Sequence, residues 1–205
     1  MNIMLGCAVG LLGGAGVTLV YRRFLPTVMP LRPRHILALA LAGGALGAAA
    51  GWRAPSIAAL ASALVITTLL GLISLVDWRT RRIPNALNLA LLAWALVQIA
   101  WLRQPTITSA GLGLLVSGGL FLLLALIGRG AMGLGDVKLA GVLGALLGFP
   151  LVLRALVVGI FAGGAVALYL IIFRRSKAHS TMAYGPYLAL GGWITALSML
   201  FNLWR

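Results

Sequence analysis

The stretch "TTLLGLISLVDWRTRRIPN" (residues 67–85) joins an apolar run to an aspartate and three arginines. An apolar segment of about 20 residues can cross a bilayer as a helix, and basic residues at its end favour the cytoplasmic side. Asp77 lies at this boundary, and the 205-residue chain has just one other acidic residue, Asp136. The stretch therefore predicts a transmembrane helix that carries one of the two acids at its cytoplasmic end.

The composition extends this prediction to the whole chain. Hydrophobic residues make up 62% of it and charged residues 9%, whereas about 25% of a soluble domain is charged. Because backbone polar groups in lipid must bond internally, the apolar segments are predicted to be helices. We predict an all-α polytopic membrane protein whose residues 1–205 form a single membrane-embedded domain. About eight transmembrane helices are expected, at residues 3–20, 36–51, 57–76, 86–102, 107–128, 137–153, 155–173 and 184–203.

Lysine and arginine are distributed unevenly among the loops between these segments. One set of alternate loops holds 12 of them and the other set, with the C-terminus, holds 4, which accounts for all 16. Cytoplasmic loops carry the excess of positive charge in membrane proteins. The distribution therefore predicts that both termini lie outside and that the basic loops face the cytoplasm.

The net charge of +14 predicts contact with anionic lipid headgroups. Nucleic acid is not expected as a partner, because the basic residues lie between apolar segments. The single cysteine, Cys7, excludes an internal disulfide. The two histidines, His35 and His179, fall in predicted loops. We expect them to be solvated there, so neither a metal nor a cofactor is predicted.

Asp77 and Asp136 are expected to lie on the same side of the membrane. Two predicted crossings separate them, and an even number of crossings returns the chain to the side from which it started. Two carboxyl groups that share a site cannot both ionise easily, so the pKa of one rises. Aspartic proteases use this arrangement for acid–base hydrolysis. Gly133 and Gly135 allow a tight turn beside Asp136.

Each acid also has a structural interpretation. Asp77 can pair with an arginine of residues 79–82, and Asp136 can cap a helix, as aspartate often does, beside Lys138. The helix dipoles predict a difference between the acids. Asp136 lies near a helix N-terminus, which favours its charged form, whereas Asp77 lies near a C-terminus. On this basis Asp136 is expected to ionise more readily.

Three motifs, in order over about residues 70–195, resemble those of the type IV prepilin peptidase family of GxGD intramembrane aspartyl peptidases. The first is "DWRTRRIPNALNL" (77–89), with an aspartate, a basic stretch and Ile-Pro-Asn. The second is "GLGDVKLAGVLGALLG" (133–148), which contains the GxGD sequence. The third is "AYGPYLALGGW" (183–193), which is similar to the family's C-terminal segment.

This resemblance implies an endopeptidase that removes the short basic leader of pilin-like precursors, in pilus assembly or protein secretion. It implies a multi-pass protein of the prokaryotic inner membrane with its active site at the cytoplasmic face. It assigns catalysis to Asp77 and Asp136, and an active-site loop to Gly133 and Gly135. Four more residues match motif positions as substrate contacts or structural residues: Lys138, Arg82, Pro84 and Asn85.

One feature departs from the family pattern. Many bacterial members carry a larger cytoplasmic loop with CxxC pairs that bind zinc, and they also N-methylate the new N-terminus using S-adenosylmethionine. Here the corresponding loop is residues 21–35, which contain no cysteine. The sequence thus resembles a short form, for which methyltransferase activity is not expected.

Other functions are compatible with two acids in a small membrane protein. A presenilin or signal-peptide-peptidase-like protease is one alternative, although such proteins typically have Pro-Ala-Leu where this chain has "GPYLAL" (185–190). A proton- or cation-coupled transporter is another, although transporters tend to hold such groups at the bilayer midplane. A structural membrane scaffold is a third. The sequence identifies neither the precursor nor the oligomeric state.

Overall fold

The computed structural model describes residues 56–128, 132–174 and 183–200. Within these ranges the regular structure is entirely helical, as the sequence predicted. The chain divides into two compact units, residues 1–72 with 197–205 and residues 73–196. The described helices are α1 (Ile57–Thr80), α2 (Asn85–Leu102), α3 (Ile107–Ile127), α4 (Leu134–Leu147), α5 (Leu151–Arg174) and α6 (Gly185–Leu200).

Four of the described helices are long and apolar enough to cross a membrane. They are α1 from Ala58, α2, α3, and α5 as far as Tyr169. The predicted segments at 3–20 and 36–51 lie outside the described residues. The count of eight spans, the orientation and the single domain therefore stay predictions.

The boundary between the sixth and seventh predicted segments was wrong. The sequence predicted helices at 137–153 and 155–173, whereas α4 ends at Leu147 and α5 begins at Leu151. Gly148 interrupts the helix because its φ is +73°, a left-handed conformation that glycine adopts without steric cost. Pro150 then lacks the N–H that a continuous helix would need. As a result α4 has 14 residues, too few to cross a bilayer alone.

Helix α4 is the core of the unit formed by residues 73–196. Its residues from Leu139 to Leu147 are all buried, as expected for a helix that is apolar around its whole circumference. On one side it packs against α2, where Gln98 Nε2 donates to the carbonyl of Leu146 at 3.4 Å. At the opposite end of this contact, the first turns of α2 and α4 lie side by side through Asn85 and Lys138.

Helices α3 and α4 approach through small residues. A Cβ atom on Gly144 would collide with the carbonyl of Gly113 and with Ser117 Oγ. The Ser117 hydroxyl also donates to the carbonyl of Ala140 at 2.8 Å, which ties the two helices by a buried hydrogen bond. Small residues allow such close approach in lipid.

Helix α6 covers another side of α4. A Cβ on Gly192 would press into the side chain of Leu143, and one on Gly191 would collide with the carbonyl of Ala155 in α5. Gly159 of α5 faces the Leu188 backbone in the same way. These glycines let α6 pack closely against α4 and α5.

We predict that Gly144→Ala destabilises the protein, because the added methyl group has no space between α3 and α4. Overpacking of this kind costs about 1–3 kcal/mol. The measurement is the thermal midpoint of the purified protein in detergent. Gly119→Ala is the matched control, since a Cβ there meets nothing within 4 Å. Equal midpoints for the two variants would contradict the close packing of α3 on α4.

Candidate active site

Asp77 lies near the end of α1, and its side chain is 4% exposed. The backbone N–H of Gly185 donates to Asp77 Oδ2 at 3.0 Å. Gly185 is the first residue of α6, so its N–H has no partner within its own helix. The positive end of the α6 dipole therefore points at the Asp77 carboxyl group.

Glycine is the residue that permits this contact. A Cβ atom at position 185 would lie 2.7 Å from Asp77 Oδ2 and 3.1 Å from Ile83 Cδ1. Any larger residue would have to push the carboxyl group or Ile83 away. The Gly-Pro pair at 185–186 is thus explained by a requirement for close approach at Gly185 and for a helix start at Pro186.

Asp136 lies in the first turn of α4, where its N–H donates to the carbonyl of Gly133 at 3.0 Å. Gly133 precedes the helix, as the predicted loop requires. Gly135, by contrast, is helical, so its assignment to a loop was wrong. The close packing of Ile83 explains why glycine occupies that position, since a Cβ on Gly135 would lie 3.2 Å from Ile83 Cβ.

Ile83 brings the two acids into one cluster. Its side chain is 8% exposed, and it meets Gly135 on one side and Gly185 on the other. Gly135 precedes Asp136, and Gly185 holds Asp77. Helices α2 and α3 separate the two acids along the chain, and each is long and apolar enough to cross a membrane. This agrees with the expectation of two crossings between them.

The surroundings of Asp136 favour its protonated form. Burial, and secondarily the charge of Asp77, raise the pKa of Asp136 to about 6, against the opposing effect of the Gly133 backbone amide. Burial and the charge of Asp136 also raise the pKa of Tyr184, which keeps that phenol neutral. The two carboxyl groups and Tyr184 therefore influence one another electrostatically.

The other motif residues lie around this cluster in different roles. Lys138 Nζ donates to Asn85 Oδ1 at 3.0 Å, which links the first turns of α4 and α2. Pro84 immediately precedes α2, and its carbonyl accepts from the helix's first turn. Arg82 is exposed, and its carbonyl accepts from Thr80 Oγ1 at 3.1 Å.

The structure gives Asp77 a partner that its structural interpretation did not include. The hydrogen bond to the Asp77 carboxyl group comes from Gly185, while the arginines at 79, 81 and 82 have exposed side chains. Asp77 therefore faces a helix N-terminus as well as lying near a C-terminus. The expectation that Asp136 ionises more readily assumed that Asp77 is affected only by the C-terminal end of its own helix. That premise was wrong, because the N-terminus of α6 also faces Asp77.

Gly185 and Tyr184 are the site residues that sequence reasoning missed. Both belong to the quoted motif at 183–193, so the motif itself was the available signal. The hydrogen bond from Gly185 to Asp77 joins residues 108 positions apart in the chain. No local sequence pattern specifies a pairing at that separation.

The fold and the site define a multi-pass helical membrane protein with one buried and one half-buried carboxyl group in the same site. Residues 64–168 match the model of the type IV leader peptidase family. This match covers slightly more than half of the chain, and the chain belongs to that family. The resemblance inferred from the three motifs is confirmed.

Several curated proteins are similar to the chain. A prepilin leader peptidase/N-methyltransferase of Burkholderia pseudomallei is 35% identical over 170 residues, which cover 80% of this chain and 54% of that protein. A protein of the same name from Pseudomonas putida is 32% identical over 139 residues, 65% of this chain and 48% of that one. The chain thus spans about half the length of the curated relatives it matches. No solved structure matches it significantly.

We predict that Asp136→Asn stabilises the protein at pH 7 and not at about pH 4. A carboxyl group whose folded pKa exceeds its unfolded value stabilises the fold only while protonated. That contribution is complete below the unfolded pKa and is lost as the pH rises through about 6. The neutral amide avoids the loss, so the thermal midpoint at pH 7 should rise by about 2–4 °C. An equal rise at both pH values would contradict the assignment.

Proposed function

We propose that the chain is an intramembrane aspartyl endopeptidase that removes the short basic leader of type IV pilin-like precursors. The observation that carries this proposal is the cluster around Ile83, which gathers Asp77 and Asp136, the two acids of the whole sequence. Membership of the type IV leader peptidase family supports the choice of substrate class. The names of the relatives, which include prepilin leader peptidase, support it further.

The pair provides the groups that peptide hydrolysis needs. One carboxylate takes a proton from water as the water attacks the scissile carbonyl, and a carboxylic acid donates a proton to the carbonyl oxygen. Because its pKa is raised to about 6, Asp136 is protonated in half of the molecules at that pH. The GxGD sequence thus places Asp136, which can be protonated or ionised near that pH, in the same site as the buried Asp77.

The position of the pair supports cleavage at the membrane surface. Asp77 lies near the end of α1, three residues before Thr80, and exposed arginines follow it. We propose that this end faces the cytoplasm in the prokaryotic inner membrane, in accordance with the distribution of lysine and arginine. Its basic residues would contact anionic lipid headgroups. The leader's own positive charge would engage those headgroups or the two aspartates.

The proposed activity is cleavage without methyl transfer. The names of the relatives also include N-methyltransferase. In this chain residues 21–35 contain no cysteine, so the zinc-binding CxxC pairs that the family resemblance associates with that loop are missing from it. This departure supports a peptidase alone.

We predict that co-expression with a pilin-like precursor from the same organism gives a precursor shortened by its leader. Asp77→Asn and Asp136→Asn should each reduce cleavage at least about 100-fold, because each removes an acid–base group. The measurement is mass spectrometry of the precursor's N-terminus, with enzyme levels checked by blotting. The mature N-terminus should carry no added methyl group.

Arg154→Gln is the control for expression and folding, since Arg154 is an exposed residue at the start of α5. Its cleavage should match that of the unaltered protein. Persistence of cleavage in both aspartate variants would overturn the proposed function, as would an intact precursor with every form of the enzyme.

A further inference from the structure

The environments of the two acids differ in the donors that they receive. Asp77 accepts a backbone N–H from the first residue of a different helix, α6, at 3.0 Å. Asp136 lies within the first turn of α4, and the backbone amide that acts on its carboxyl group belongs to Gly133, directly before its own helix. The contact with α6 is long-range, so it depends on tertiary packing. In the folded protein this contact therefore favours the ionisation of Asp77 without acting directly on Asp136.

We propose that Gly185 is a positioning residue whose backbone N–H holds Asp77 as the ionised member of the pair, which makes Asp77 the base toward water and Asp136 the proton donor. This inference rests on the proposed function and deepens it by dividing the roles. It reverses the order of ionisation expected from the sequence.

Hydrogen bonding and the helix dipole act in the same direction at Asp77. A hydrogen bond to the charged form of a carboxyl group favours that form, and charge-assisted bonds are about twice as strong as neutral ones. The donor is at the positive end of α6. Burial of the Asp77 side chain opposes its charged form, but it also leaves the interaction with Gly185 little screened by water.

Steric constraints keep this donor in place. A Cβ at position 185 would lie within 3.1 Å of both the Asp77 carboxyl group and Ile83, so the backbone lies as close as it can. Farther along α6, Gly191 and Gly192 seat the helix against Ala155 and Leu143. The start of α6 is thus fixed relative to Asp77 by packing on two other helices.

The Gly133 backbone amide acts on Asp136 in the direction that favours its charged form, although burial outweighs it, and several charged or titratable groups also surround the pair. Helix α4 contributes Asp136 and Lys138, and the Lys138 ammonium group donates to Asn85 Oδ1. Preceding α6 is Tyr184, a neutral phenol affected by the charge of Asp136. From α1 and the turn after it come the arginines 79, 81 and 82, whose side chains are exposed.

The division of roles gives a balanced reaction. As water adds to the scissile carbonyl carbon, Asp77 takes its proton and Asp136 gives its own to the carbonyl oxygen, forming a gem-diol. Collapse of the gem-diol breaks the C–N bond. Asp77 then gives its proton to the departing nitrogen, and Asp136 recovers a proton from a diol hydroxyl. The products are an acid and an amine, and both aspartates return to their starting states.

The first test observes the Gly185 amide directly. Tyr184–Gly185 is the only Tyr-Gly pair in the sequence, so labelling tyrosine with ¹³C at the carbonyl and glycine with ¹⁵N yields one carbonyl-filtered amide peak. In the full chain in detergent, we expect this proton to be shifted downfield at neutral pH. The shift should be lost in Asp77→Asn and retained in Asp136→Asn. Its main change with pH should fall below about 6, the pKa of Asp136.

The second test is the pH dependence of kcat/KM on a precursor peptide. The acidic limb reports the base and the alkaline limb the acid of the free enzyme. In Gly185→Ala the acidic limb should move up by roughly one pH unit, the size expected for a lost hydrogen bond to a charged group. Gly192→Ala is the matched control, because its Cβ strains the packing of α6 on Leu143 and does not touch Asp77. The kcat/KM of Gly192→Ala can decrease, but the acidic and alkaline limbs of its pH profile should stay at the same pH.

Two outcomes would overturn the division of roles. One is an amide peak that does not respond to Asp77→Asn, or whose main change coincides with the titration of Asp136. The other is a Gly185→Ala enzyme whose acidic limb is unmoved. The amide experiment needs no substrate, so it gives a result even if the precursor is not cleaved. Failure of the proposed function and failure of this inference are therefore distinguishable.

Discussion

The hydrogen bond from the Gly185 N–H to Asp77 is the interaction on which the site depends. It joins the end of α1 to the start of α6, two helices far apart in the chain, through a carboxyl group that is 4% exposed. A buried carboxyl group without such a donor would be costly in a membrane protein. Ile83 packs against the same glycine and against Gly135, the residue before Asp136, so its side chain links the surroundings of the two acids.

The packing of the helices explains how a polar pair is held at the edge of an apolar unit. Helix α4 is too short to cross a bilayer alone, and its neighbours bury its residues from Leu139 to Leu147. Glycines at the contacts with α3 and α6 let this buried part of α4 pack closely, and Gly135 in its first turn packs against Ile83. A catalytic group on such a helix is more precisely placed than one on a loop. The cluster is thus a consequence of small-residue packing.

Much of this arrangement was predictable from the residues alone. The apolar segments predicted helices, and the two crossings between Asp77 and Asp136 predicted that both acids lie on the same side of the membrane. The scarcity of acidic residues identified these two as candidates. The break between α4 and α5 was misplaced because the left-handed conformation of Gly148 was not recognised from the sequence. Gly135 was assigned to a loop because the contact that requires glycine there, with Ile83, is tertiary. The donor to Asp77 was missed for the same reason, since helix dipoles were assigned from each acid's own helix.

The measurement that tests the central claim most directly is infrared spectroscopy of the protein with ¹³C at its aspartate carboxyl groups. Because the chain has two acidic side chains in total, the labelled bands report on Asp77 and Asp136 alone. At about pH 5 the account predicts one carboxylate band and one carboxylic acid band, with the acid band removed by Asp136→Asn. Two carboxylate bands at that pH, or an acid band that disappears in Asp77→Asn and persists in Asp136→Asn, would contradict it.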